Sequence, residues 1–551
     1  MEAGGVAEKI LIVPEPKKME FTGRWFRFDG FENLPEFFSK EFNVPKGRWK
    51  IVKDSLAGNG VEVKENEVHI WGEESVGYAT LIQLTLQKKG FLPEVKVEEE
   101  FAFKFRGYHL DIARGGVPKV ETFKRILRWL FLLKYNYFAI YFEDLFPWKK
   151  YPTIGRHRGR LKEEELKEVV EYGKSLGIEV FPSLELSGHM EHILTLPEFR
   201  RLSEWHNPAE GCLNLSDEEA KRFAYELLEE AVDFFPSRYI HIGGDETWAL
   251  GRGRSLNRTW KFEGPKLYEA HHAKMIEIVR GKGKVPILWG DMISGMYLRE
   301  EGKVWASLLK SDVWRSAVIA NWDYRPQGKG YFKKKIRLIK DLGLEQIACP
   351  GLSNSRRYYP NFHVALRNLE GFLSAAREEG LLGFLVTAWG DDGEECLFSF
   401  LEPLILAAME IAEGNGSWED KWLVLSGESK GILEVRKALG VPEVVETMKH
   451  ILFADLWFHR LSEEKRRDIY SKVKNVLKEA EDVNLPDDLN FIRMCLEACL
   501  KRLRGEAAAS DYIALANIYA DLWLAERKPE GLERIISRFW GSAGRIDLKL
   551  R

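Results

Sequence analysis

Apolar positions along this chain keep one rhythm to about residue 100, a second to about residue 412 and a third beyond it. In the first section, 1–100, short alternating runs such as KILIVPE, GRWFRFDG, VEVKENEVHIWG and VKVEEEFAFKF read as strands, with helical stretches near 34–42 and 76–88. Such alternation buries one face of each strand and predicts a small α+β domain. In the second section, 101–412, strand-like runs alternate with helical patterns. The strands are expected at 106–112 (RGYHLDI), 135–142, 177–185, 238–244, 285–290, 316–322, 345–351 and 383–389. Between them, stretches such as VETFKRILRWLFLLKY and EEELKEVVEYGKSLG repeat apolar residues three and four apart, which lays one helix face on a sheet. Eight such units predict an α/β fold, a (β/α)8 barrel, with a doubly wound open sheet as the competing topology. In the third section, 413–551, strand signals end. Leu489, Ile492, Leu496, Cys499 and Leu503 mark one apolar helix face, and Asp487 and Asp488 follow Pro486 at its start. A mostly helical C-terminal region is expected, packing on the barrel or forming a subunit contact such as a homodimer interface.

Composition narrows the partners. Lys+Arg of 82 against Asp+Glu of 85 leaves a net charge of -3, so bulk electrostatics point to neither nucleic acid nor an anionic membrane. The five cysteines have no CxxC spacing and an odd count, so they read as reduced core residues. The N-terminal stretch MEAGGVAEKILIVPEPKKMEF lacks the basic end and apolar centre of a signal peptide, and no uncharged apolar run is long enough to span a membrane. A cytoplasmic protein acting on a small or neutral molecule is expected.

Barrel enzymes build their sites at the C-terminal ends of the strands. Around those ends stand Arg106 and Asp111, Glu143 and Asp144, Glu185 and His189, and Asp245, Glu246 and Trp248. Trp289, Asp291, Trp322, Asp323, Tyr324, Tyr358, Tyr359, Trp389, Asp391 and Asp392 complete the set. Indole faces stack on the C–H faces of sugars while carboxylates accept their hydroxyl protons, so this mixture suits a carbohydrate. Neither GxGxxG nor GxxxxGK[ST] is present to cradle a phosphate. His189 and His192 lie near Glu185, but two histidines without a clear third and fourth ligand read as hydrogen-bonded structural residues. No metal and no cofactor are expected.

The stretch YIHIGGDETW sets two carboxylates side by side at a strand end. Glycosidases with two working carboxyls place them roughly 5 Å apart for retention or about 6.5–9.5 Å for inversion, on either side of the bond. Neighbours on one strand end cannot easily flank a bond. If both work, the nucleophile comes from the substrate, as when a 2-acetamido oxygen attacks its own anomeric carbon. The anionic aspartate would then help keep the glutamate protonated as a general acid.

HIGGDETW, RGYHLDIAR and the SGH of LELSGH together resemble glycoside hydrolase family 20, the β-N-acetylhexosaminidases, and the section from VPEPKK onward resembles that family's leading domain. The resemblance implies that Asp245 orients the acetamido group, Glu246 is the acid/base and Arg106 binds hydroxyls of the terminal sugar. It implies that Trp289, Trp322 and Trp389 wall the acetamido pocket, that Asp391 takes the outer hydroxyls, that His189 supports the site, and that Tyr324, or else Tyr358 or Tyr359, binds the acetamido oxygen. YFEDLFPW, with Glu143, stands where the family has paired aspartates, and TAWGDDG stands where it has W-x-E. Both departures are similar to the intracellular hexosaminidase D branch. The implied activity is exo-acting, retaining removal of terminal β-GlcNAc or β-GalNAc through an oxazolinium. A β-N-acetylgalactosaminidase, a hydrolase of modified amino sugars and a catalytically silent sugar-binding protein are the alternatives.

Overall fold

The computed structural model describes residues 9–294 and 302–548, so the first residues of the N-terminal stretch read above lie outside it. Five strands, β1 (Lys18–Arg27), β2 (Lys50–Asp54), β3 (Asn59–Lys64), β4 (Glu67–Trp71) and β5 (Phe91–Glu99), form a sheet of order β1-β5-β3-β4-β2. Helix α1 (Glu74–Gln87) covers it, burying Tyr78, Leu81 and Leu84.

The eight expected parallel strands follow, and they close. They are β6 (Phe105–Asp111), β7 (Tyr137–Tyr141), β8 (Glu179–Ser183), β9 (Tyr239–His241), β10 (Val285–Trp289), β11 (Val318–Trp322), β12 (Gln346–Cys349) and β13 (Gly383–Ala388). β13 pairs with β6 from Gly383↔Phe105 to Ala388↔Leu110, so the sheet is a barrel rather than a doubly wound open sheet. Every strand except β11 ends earlier than its apolar run suggests, because the last residues bend away to form the loops of the mouth.

Alternation along each strand decides what enters the barrel. On β6, Phe105 packs inside while Tyr108 and Leu110 pack outward against helices. Phe105 stacks on Tyr137 with ring centroids 4.2 Å apart and meets Tyr239 edge-on, closing the N-terminal end with aromatic rings. The same two-residue period carries His109 and Asp111 inward toward the opposite end. Trp289 and Trp322 are the last residues of β10 and β11, and Trp389 follows directly on β13.

The crossover helices follow the expected stripes. Helix α2 (Val120–Leu132) buries Phe123, Ile126, Leu127 and Leu130, each worth on the order of 2 kcal/mol of apolar burial. Helix α3 (Glu218–Phe234) starts where the Asp217 carboxylate accepts the backbone N–H groups of Glu219 and Ala220. Beyond the barrel, the described residues are helical, including α4 (Pro442–Leu452), α5 (Asp487–Leu503), α6 (Ala509–Glu526) and α7 (Leu532–Asp547). Leu489, Ile492, Leu496 and Cys499 are buried as their spacing predicts. Tyr358, from the loop after β12, inserts among Phe453, Phe491, Tyr519 and Phe539 and joins this region to the barrel.

Candidate active site

The backbone after β9 turns sharply. Gly243 and Gly244 have φ of 71° and 95°, and a Cβ on them would lie 2.2 Å from the Leu184 carbonyl oxygen and 2.6 Å from the Tyr268 hydroxyl. Only glycine fits such positions. Glu246 then takes a left-handed φ of 48° and donates its N–H to Asp291 Oδ2 at 3.0 Å. The result is that neighbouring side chains face the same space. His189 Nε2 lies 3.3 Å from Asp245 Oδ2 and 3.9 Å from Glu246 Oε1, so the two carboxylates converge on one imidazole. His189 itself has a left-handed φ of 51°, a conformation uncommon for such a residue and held here by the packed loop after β8.

This convergence drives the proton affinities apart. Burial opposes the imidazolium of His189, but the Asp245 carboxylate outweighs it and pushes the imidazole up to about 10. Burial alone would raise Asp245; His189 and Glu185 overcome it and hold the carboxyl down to about 2. Burial and then the Asp245 charge raise Glu246. The same two causes push Asp291 up to about 7 and Glu185 well above the usual carboxylate range. One buried anion is thus surrounded by carboxyls that resist ionising.

The indoles are held by these acids. Trp289, fully buried, donates Nε1–H to Glu185 Oε1 at 3.2 Å. Trp322 donates to Asp291 Oδ1 at 3.1 Å and stacks on Tyr324 with centroids 5.3 Å apart. Tyr324 accepts from Trp389 Nε1 at 2.7 Å, which leaves the phenolic proton for another acceptor. Trp389 is half-buried and packs on His109 and Tyr141.

A second array stands where β6, β7 and β13 end. Arg114 donates Nε–H to Glu143 Oε1 at 3.0 Å and Nη1–H to Asp111 Oδ2 at 3.1 Å, and pairs with Asp391. Glu143 Oε1 also accepts from Tyr141 at 2.9 Å. Burial raises Glu143 to about 8 against the pull of Arg114.

The expected arginine is not in this array. Arg106 stands at the start of β6, donates to the carbonyls of Lys134 and Phe103 at 2.9 and 3.0 Å, and lies over the Phe101 ring at 3.9 Å. A strand advances about 3.3 Å per residue, so Arg106, the second residue of β6, stands near the closed end of the barrel. Arg114, the last letter of the same RGYHLDIAR, occupies the mouth. Tyr358 and Tyr359 are also elsewhere, the first among helices and the second donating to the Arg436 carbonyl. Asp144 pairs with Arg158 and Asp323 with Arg325. Trp248 is exposed at the rim. Sequence reading placed Asp291 and Glu185 among the strand-end residues without a specific role and missed Tyr141. The position of Asp291 two residues after a barrel tryptophan was its only signal. Among the described residues two groups bring three ligand-type atoms within 4.8 Å, namely His189, Asp245 and Glu246, and Glu143, Glu191 and His192. In the first group the imidazolium already supplies the positive charge.

Residues 103–339 match the family model of the glycosyl hydrolase family 20 catalytic domain. The match spans β6 to β11 of the barrel. Hexosaminidase D of Homo sapiens is 27% identical over 305 residues, covering 52% of this chain and 60% of that protein. Hexosaminidase D of Bos taurus is 28% identical over 195 residues, covering 34% of this chain and 55% of that protein. The chain thus spans little more than half the length of these relatives. The crystal structure of a beta-N-acetylhexosaminidase from Bacteroides fragilis shares the fold with a TM-score of 0.60 at 23% identity, covering 76% of this chain and 94% of that one. The family 20 match stops before Trp389 and Asp391, which reach the site because β13 closes on β6. No helix among the described residues is long and apolar enough to cross a membrane.

Proposed function

We propose that the chain is an exo-acting, retaining β-N-acetylhexosaminidase that removes terminal β-linked GlcNAc or GalNAc by substrate-assisted catalysis. The observation that carries this reading is the adjacent pair, one member held anionic and the other with its proton affinity raised, on one side of the site. The Asp245 carboxylate accepts the acetamido N–H and increases the nucleophilicity of the carbonyl oxygen. That oxygen attacks the anomeric carbon as the glycosidic C–O bond breaks, and the Glu246 carboxyl gives its proton to the leaving oxygen. An oxazolinium forms. Water then attacks the anomeric carbon from the vacated face, Glu246 takes its proton, and the acetamido group is released with retention.

His189 keeps Asp245 ionised. Tyr324 donates its phenolic proton to the acetamido oxygen, and Trp289, Trp322 and Trp389 wall the acyl group. Arg114, Glu143 and Asp391 bind the outer hydroxyls. A cytoplasmic location is part of the same reading, supported by five cysteines that are all unpaired and buried. A homodimer through the helical region, where Leu456, Trp457 and Trp540 are exposed, is tested by sedimentation velocity.

Parallel assays of aryl β-GlcNAc, β-GalNAc and unacetylated β-glucoside test the function. Turnover confined to the acetylated sugars is expected. Comparable turnover of the glucoside would exclude substrate assistance, and no turnover of any would favour a sugar-binding protein.

A further inference from the structure

The helical region does more than pack on the barrel. Its segment 526–531, which begins at the last residue of α6, runs between the two loops that carry Arg114 and Asp391. Toward the first loop, the Glu526 carbonyl accepts the Lys119 N–H at 2.9 Å and the Thr122 hydroxyl at 2.6 Å, and Lys528 N–H donates to Val117 O at 2.9 Å. Gly531 lies so close to Gly115 that a Cβ on it would come within 1.7 Å of the Gly115 oxygen. Toward the second loop, the Glu526 carboxylate accepts the N–H groups of Phe398 and Ser399 at 3.0 and 3.1 Å. Arg527, fully buried, donates Nη2–H to Cys396 O at 2.6 Å, with its guanidinium between the rings of Phe398 and Trp523 at 4.2 and 4.5 Å.

The loops meet on their other side too. Gly390 N–H donates to Asp111 Oδ2 at 2.9 Å, and Arg114 pairs with Asp391 across them. Docking of the helical region needs none of these polar bonds, because Tyr358 and its aromatic neighbours already join it to the barrel. A buried guanidinium is costly and an apolar side chain would fill the same space. Its bond is to the backbone of the loop that bears Asp391, which is where a positional constraint is useful.

We propose that segment 526–531 is a strap that sets the spacing of Arg114 and Asp391, with Arg527 as a positioning residue for sugar hydroxyls. The proposal rests on the functional reading above for its substrate but not for its mechanics. The full chain is compared with Arg527→Gln and Arg527→Lys, using an aryl β-N-acetylglucosaminide and its 3-, 4- and 6-deoxy analogues, alongside hydrogen exchange of residues 112–118 and 389–396. Arg527→Gln is expected to raise KM for the parent sugar roughly tenfold with a smaller change in kcat, and to lose that effect on at least one deoxy analogue. Lysine restores part of it, and exchange quickens in both loops. An unchanged KM, or an equal loss on the parent and every analogue, overturns the strap. If the unaltered protein turns over no acetylated sugar, the functional reading fails, and the exchange measurement alone decides the strap. Where Arg527→Gln does not fold, Glu526→Gln carries the same comparison.

Discussion

Two arrays of carboxylates share the mouth of this barrel and differ in the cation at their centre. At the end of β9, Asp245 and Glu246 share the imidazole of His189. Between β6, β7 and β13, Asp111, Glu143 and Asp391 share the guanidinium of Arg114. An imidazolium can lose its proton, and a guanidinium in a protein does not. The first array therefore responds to pH and is fit to move protons. The second keeps a permanent cation at its centre, fit to hold hydroxyls, although burial raises Glu143 beside it. On the function proposed above, the difference separates the chemistry of the site from its recognition.

The largest effect should come from the first array. Glu246→Gln is expected to lower kcat on a poor leaving group about 10³-fold and far less on an activated aryl glycoside, as measured by steady-state rates across leaving groups. Equal losses would remove Glu246 from the role of acid and with it the contrast between the arrays.

The second array should show a smaller loss of another kind. Arg114→Ala is expected to reduce kcat/KM roughly 10²-fold, from hydrogen bonds to charged groups worth about 1.5–3 kcal/mol each. Arg106→Ala should leave kcat/KM nearly intact and lower only stability, by about 1–3 kcal/mol, as read by denaturant unfolding. A large catalytic loss at Arg106 and none at Arg114 would reverse the assignment made from the strand direction.

A last measurement tests the pH response. His189 is raised to about 10 from an unfolded value of roughly 6.5, so its contribution to stability is complete below the unfolded value and fades as pH rises toward 10. Asp245 is lowered to about 2 from roughly 3.9, so its contribution is complete above the unfolded value and is lost as pH falls toward 2. The unfolding free energy lost on His189→Asn should therefore be greatest between these unfolded values, at roughly 3 kcal/mol, and should shrink as pH rises toward 10. A penalty that stays constant across that range would mean that packing rather than the ion pair supports the site.

Much of this site is legible along the chain because its parts are local. The glycines of YIHIGGDETW, the adjacent acids and the tryptophans at strand ends each follow from a few consecutive residues and a two-residue period. Arg106 and Arg114 were not separable in that way. Both belong to RGYHLDIAR, and only the direction of β6 within a closed barrel sends one to the sealed end and the other to the mouth. Glu185 and Asp291 likewise gain their roles from Asp245, which lies on another strand. Their raised proton affinities arise from burial beside that charge and from nothing in their own neighbourhoods.

The strap is the clearest case of the same limit. Glu526 and Arg527 sit in LWLAERKPEG, an unremarkable end to a helix. Their contacts are with residues 117–122 and 396–399, which the chain reaches only after the barrel has closed and the helices have docked. Local spacing by itself determined the barrel strands, the helix faces and the paired acids, because apolar periodicity and backbone turns are short-range properties. The tertiary structure decided which arginine stands at the mouth, which carboxyls resist ionising and what holds the two loops together. Those depend on burial and on charges brought near from distant positions, and neither exists until the chain has folded.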